Sequence, residues 1–350
     1  MRGDELDVED RVKVLFVGGT GNLSSACSRE ALTRGVELVH LNRGTKAPPM
    51  EGVETIVGDI ANEAAVASAL RGRRFDAVVD FIAMNEEDLG RSLRLFAGCA
   101  KQYVFISTAS VHREPPIKSL VKETTRPGNP HWPYAQAKVE AERALREAAP
   151  RLGLGFTIAR PGHTYGPSWV PTPFGSSDFT LVERMLALKE VPVPGDGQAV
   201  WTLTNARDFA VGLVGLLGRP EALGEDFLVA GDEALTWDEI YEAIAAAFGV
   251  EARLVHVPTD FIARLWPPFG EKLLGDKAWS TRYDCSKLHA LVPEFRVRTP
   301  FAEGIRESAA WLMGDSGRRP CVPGSEEAFE LILSRWKAAM DSAVAGHEEG

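Results

Sequence analysis

Six short β-branched runs, at residues 12–17, 37–41, 54–57, 77–82, 103–106 and 156–159, alternate with helical patterns that follow Gly21, Asn62, Glu87 and Tyr134. Runs this short and this apolar need cover on both faces, and intervening helices supply it. The alternation therefore predicts an α/β fold, a Rossmann-like doubly wound parallel sheet. A returning strand is expected near 226–230, so the dinucleotide-binding domain is read as 11–160 plus that strand. The smaller, mainly C-terminal substrate lobe is read as 161–225 and 231–350, with helices over 237–248, 301–312 and 326–343. Residues 1–10 and the last four are polar and are expected to fray.

The first of these strands runs into Val17-Gly18-Gly19-Thr20-Gly21-Asn22-Leu23-Ser24 and then a helical pattern. Glycines in that position let a backbone approach a dinucleotide pyrophosphate at a helix N-terminus. Gly18, Thr20, Gly21, Asn22 and Leu23 are therefore candidate cofactor contacts, although a ligand-free tight turn would use the same glycines. Ser24 stands where a third glycine is expected. At the end of the second strand, Asn42-Arg43 replaces the acidic residue that would bind the ribose hydroxyls of NAD. A guanidinium pairs with a 2′-phosphate through two parallel hydrogen bonds, so Arg43 leans toward NADP within an NAD(P) assignment. Asp59 and Ile60 are expected to border the adenine.

Tyr134 and Lys138 are spaced i, i+4 at the start of a helical pattern, which puts phenol and ammonium on one face. A neighbouring cation lowers the pKa of a phenol from about 10 toward working pH. Upstream, Ser107-Thr108-Ala109-Ser110 leaves a strand at its C-terminal end, where open α/β sheets hold ligands. Together with the glycine loop and Arg160-Pro161-Gly162-His163-Thr164-Tyr165-Gly166-Pro167, these motifs occur in the order seen in extended short-chain dehydrogenases/reductases. The chain resembles that family, the NAD-dependent epimerase/dehydratase group, from about Val12 to Trp311.

The resemblance implies that Thr108 is the catalytic hydroxyl, Tyr134 the acid/base and Lys138 the nicotinamide-ribose ligand. It also implies that Ala83, Ser107, Pro161 and His163 lie along the cofactor and that Ser110, His163 and Trp201 face the substrate. The family's 4,6-dehydratases carry Asp-Glu directly after the catalytic Thr; here Ala109-Ser110 favours an oxidoreductase or epimerase instead. Trp201 occupies the position of a diphosphate-binding Arg; the later Tyr283–Lys287 match lacks an arginine upstream, for which Lys272 is the candidate to compensate. The expected substrate is sugar-like or a nucleotide sugar. A non-catalytic dinucleotide-binding regulator, RNA-associated in one variant, is the alternative.

A formal net charge of -10 argues against nucleic-acid and anionic-membrane partners. No apolar run approaches the ~18 residues of a spanning helix and the N-terminus lacks a signal sequence, so a cytoplasmic protein is expected. The cysteines Cys27, Cys99, Cys285 and Cys321 are read as buried reduced thiols. None of the seven histidines has metal-site spacing, and no catalytic metal is expected. A homodimer is expected through the helix of Tyr134 and that around 89–100.

Overall fold

The computed structural model describes residues 12–45, 48–112 and 120–348; the polar N-terminal stretch lies outside them. The first half alternates as expected: β1 (Lys13–Val17), α1 (Asn22–Thr33), β2 (Glu37–Asn42), β3 (Glu54–Val57), α2 (Glu63–Ala69), β4 (Phe75–Asp80), α3 (Glu86–Phe96) and β5 (Ala100–Ile106). Then come β6 (Leu120–Val121), α4 (Pro133–Arg151), β7 (Gly155–Pro161), β8 (His163–Tyr165), α5 (Thr180–Leu186), β9 (Glu190–Pro194), β10 (Val200–Asn205) and α6 (Ala206–Val214). The chain continues through β11 (Glu225–Val229), β12 (Ala234–Thr236), α7 (Trp237–Ala247), β13 (Arg253–Val257), α8 (Thr259–Leu265) and α9 (Pro267–Lys272). It ends with β14 (Arg282–Tyr283), α10 (Ser286–Leu291), α11 (Phe301–Met313) and α12 (Ser325–Glu348).

Seven strands form one sheet in the order β11-β7-β5-β4-β1-β2-β3, every neighbouring pair parallel. β11 leaves the second half of the chain to pair with β7, from Glu225 opposite Thr157 to Val229 opposite Pro161. Residues on the central strands, such as Val14, Leu15, Val78 and Val79, are buried on both faces. That explains why these strands read as continuous apolar runs rather than alternating ones. One apolar cluster lies beneath α1 and α6 and another beneath α3 and α4.

A third cluster, rich in aromatic residues, forms the core of the C-terminal lobe around Trp201, Trp237, Tyr241 and Phe329. The fourth strand ends at Asp80 rather than residue 82, because the Asp80 carboxylate accepts the backbone N–H groups of Ile82 and Ala83, each at 2.9 Å, and turns the chain out of the sheet. Cys27, Cys99 and Cys285 are buried, but Cys321 is exposed, since it falls in the Gly/Pro-containing connection ahead of α12. Among the described residues no helix is long and apolar enough to cross a membrane.

Candidate active site

The glycine loop sits at the C-terminal edge of β1 under close steric limits. Gly18 has φ +83°, and a Cβ there would fall 2.5 Å from Cγ2 of Ile82; both facts demand glycine. Ser24 explains the missing third glycine: its hydroxyl donates to the Gly18 carbonyl at 2.6 Å and accepts the Gly21 N–H at 2.8 Å. Asn42 Oδ1 accepts the Gly19 N–H at 3.0 Å. The residue expected at the ribose thus holds the loop.

Beside the loop lies a cavity of about 370 Å³, lined by Gly18, Gly21, Asn42, Arg43, Asp59, Ile60 and Ala83, all of them expected cofactor contacts. Asp88, Arg91 and Ser92 of α3 line it too, and sequence reasoning missed them. Nothing in their spacing marked them, because an acidic first helical turn ordinarily serves the helix dipole. Arg43 is exposed and has no ion pair among the described residues, whereas Arg91 is bonded to Asp88 at 3.0 Å. Thr20 is half-buried within the loop and Leu23 packs against the sheet. Asn22 turns away from the loop, its Oδ1 accepting from Ser168 at 2.9 Å. The glycine cradle and adjoining cavity fit a dinucleotide.

Lys138 is buried on α4, and its ammonium donates to the carbonyls of Ala83 at 2.7 Å and Ile106 at 2.8 Å. Burial lowers its pKa to about 8, against the opposing charges of Asp80, Glu142 and Asp88. Tyr134, one turn earlier and half-buried, has its pKa pushed up to about 12 by burial, with a Thr108 hydrogen bond lowering it and the charge of Asp276 raising it. Ser107 does not join them: its hydroxyl donates to Glu142 at 2.5 Å, behind the helix. Glu142 in turn holds buried Arg160 through two hydrogen bonds of 2.9 and 2.6 Å. Pro161 ends β7, paired with Val229 in the sheet.

A second cavity, of about 430 Å³, opens beside Thr108, Ser110 and Tyr134. His163 and Trp201 line it, as expected for substrate contacts. His163 is held neutral, its pKa driven well down first by burial and then by Lys277; its Nε2 lies 3.0 Å from the Ser176 hydroxyl. The Trp201 indole donates to the Lys277 carbonyl at 3.2 Å, while the Lys277 ammonium sits 4.2 Å from the centre of its ring. A cation, Lys277, thus stands over the Trp201 ring, ion-paired to Asp276 at 2.9 Å.

Lys272 also lines this cavity and donates to the Phe174 carbonyl at 3.0 Å. Sequence reasoning missed Asp276 and Lys277, which lie on a π-helical turn, Leu273–Lys277, just after α9. Their only signal was position, a Gly-Asp-Lys step shortly ahead of the Tyr283–Lys287 motif.

A family model described as "NAD dependent epimerase/dehydratase family" matches residues 14–230. The 2′-dehydrokanamycin reductase of Streptomyces kanamyceticus is 25% identical over 320 residues, covering 89% of this chain and 90% of that protein. The chloroplast stem-loop binding protein of 41 kDa b from Arabidopsis thaliana is 26% identical over 266 residues, covering 71% of this chain and 67% of that protein. Among solved structures, the UDP-glucose 4-epimerase of Thermus thermophilus, in complex with NAD, superposes with a TM-score of 0.68 at 24% identity, covering 87% of this chain and 99% of that one.

Proposed function

Because the chain belongs to the NAD dependent epimerase/dehydratase family, we propose that it is a nicotinamide-dependent reductase or epimerase acting at a hydroxyl-bearing carbon of a sugar-like metabolite. The observation that carries the reading is the bridge made by α4. Lys138 is bonded to Ala83, a wall of the first cavity, while Tyr134 lines the second beside Thr108. Gly18, Gly21, Asn42, Arg43, Asp59 and Ile60 would hold the dinucleotide. When bound, it supplies or accepts a hydride.

Tyr134 then gives or takes the proton at the substrate oxygen, and Thr108 fixes that oxygen by hydrogen bonding. Lys138 stabilises the phenolate form of Tyr134 electrostatically. Trp132 and Trp169 also line the second cavity and give it apolar walls. Ala109-Ser110, in place of an acidic pair, supports simple redox chemistry over 4,6-dehydration. Exposed Arg43 supports NADP. The similarity to the Streptomyces 2′-dehydrokanamycin reductase along nearly the whole of both chains supports a reductase whose substrate need not be a nucleotide sugar. We also propose a homodimer through α3 and α4, to be tested by light scattering.

The test is mass spectrometry of nucleotide released from purified protein, with calorimetric titration of the stripped protein by NAD, NADH, NADP and NADPH. Retained NAD is expected of an epimerase, and exchangeable NADPH of a reductase. Binding of none of the four overturns the enzyme reading, whereas dinucleotide binding with function unaffected by Tyr134→Phe favours the non-catalytic alternative; a net charge of -10 opposes general RNA affinity.

A further inference from the structure

The π-helical turn Leu273–Lys277 is bonded into the reacting centre. Asn129, buried, donates from one amide nitrogen to the carbonyls of Ser110 at 3.0 Å and Gly275 at 2.8 Å. Its amide oxygen accepts the N–H groups of His131 at 3.2 Å and Trp132 at 3.0 Å, just ahead of Tyr134. Gly275 packs so closely that a Cβ there would lie 2.6 Å from Cβ of Trp132. On this platform the Asp276 carboxylate, 1% exposed, accepts the Ser110 hydroxyl at 2.9 Å and pairs with Lys277 at 2.9 Å. The Ser110 N–H donates to Thr108 Oγ1 at 3.2 Å, and Thr108 is bonded to Tyr134.

We propose that Asp276 is a positioning residue of the reacting centre: through Ser110 it fixes the C-terminal lobe to the Thr108–Tyr134 pair. Lining the same cavity as the phenol, its carboxylate also helps to keep the proton on Tyr134, the form that carbonyl reduction uses. The inference rests on the reductase or epimerase reading above.

Among the described residues, the titratable groups sharing the cavity or the helix face with Tyr134 are Lys138 from α4, Asp276 and Lys277 from the π turn, His163 from β8, Lys272 from the end of α9 and Tyr283 from β14. His163 is neutral, and Lys277, paired with Asp276 at 2.9 Å, offsets part of that carboxylate's charge. The cations Lys138 and Lys272 and the Thr108 hydrogen bond favour a phenolate, the form that accepts a proton from an alcohol during oxidation. Asp276 opposes it. In reduction, the carbonyl carbon gains a hydride from a reduced nicotinamide, which is oxidised. The carbonyl π pair moves to oxygen and takes the Tyr134 proton, and solvent reprotonates the phenolate.

The titration needs no substrate or cofactor. Phenolate absorbance after a rapid pH jump is recorded on the full chain, with the Tyr134→Phe trace subtracted to isolate Tyr134. Asp276→Asn is expected to lower the midpoint by about one pH unit, the effect of removing a nearby like-signed charge. Ser110→Ala should leave that midpoint in place while lowering kcat, because it severs the link and keeps the charge. Should Asp276→Asn fail to fold, Lys277→Met, which strips the counter-charge, should raise the midpoint instead.

An unmoved midpoint in a folded Asp276→Asn protein overturns the proposal. With a carbonyl substrate in hand, the alkaline limb of the reduction profile must fall by the same shift; a limb that stays in place also overturns it. A shifted phenolate in a protein that binds no nicotinamide leaves the electrostatic inference intact and removes the functional reading beneath it.

Discussion

Tyr134 is pulled both ways by separate elements: burial and Asp276 hold its proton on, while the Thr108 hydrogen bond favours its loss and the Lys138 ammonium lies 6.0 Å from its ring. Tyr134→Phe should reduce kcat/KM by about 10²–10⁴-fold, the range of general acid–base catalysis, with no loss of unfolding temperature. Steady-state rates beside a thermal melt decide it. Ser24 makes a different kind of contribution, two hydrogen bonds within the glycine loop. Ser24→Ala should cost about 1 kcal/mol in urea unfolding and weaken dinucleotide binding in calorimetry. The Tyr134/Lys138 pair was legible because helical spacing fixes which side chains share a face. Ser24 was legible as a departure, but not as a replacement bond, since a hydroxyl's partner depends on the loop's closure. Asp276 was illegible, because its neighbours Ser110 and Tyr134 lie far away in the chain and meet it only through packing.

At the level of elements, strands covered on both faces left long apolar runs and were read nearly to their ends. The two-residue pair β6 and β14 and the π turn left no periodicity to read. Local geometry nevertheless makes the turn testable. Gly275→Ala forces a methyl against Trp132 and should destabilise by about 1–3 kcal/mol while lowering kcat, measured by chemical unfolding and steady-state assay. β2 offers a pH test. Burial lowers His40 to about 4 from its ordinary 6.5, and its ring packs against the glycine loop. The unfolded chain then binds the proton first, so this stability is complete above about pH 6.5 and is lost as pH falls to about 4. The loss is at most about 3 kcal/mol. Replacing His40 by Gln should flatten that slope relative to wild type in urea unfolding across the window.

For the whole molecule, the C-terminal lobe closes on α12, whose first half buries Ala328, Phe329, Ile332 and Leu333, while residues 337–345 are exposed. Arg184 ties that first half down through Glu326 at 2.9 Å and Glu330 at 2.8 Å. Truncation after Ala338 should therefore shift Tm by less than about 2 °C, whereas Phe329→Ala should cost about 3–5 kcal/mol, both read by calorimetry. The return of β11 bears on how the chain is made. During synthesis β7 is complete long before residues 225–229 emerge, so its outer row of backbone amides and carbonyls waits without a neighbour. An unpaired apolar strand is a template for other nascent chains. Growth conditions that slow translation between residues 161 and 229 should therefore lower the yield of soluble protein, even though the finished molecule carries no trace of that exposed edge.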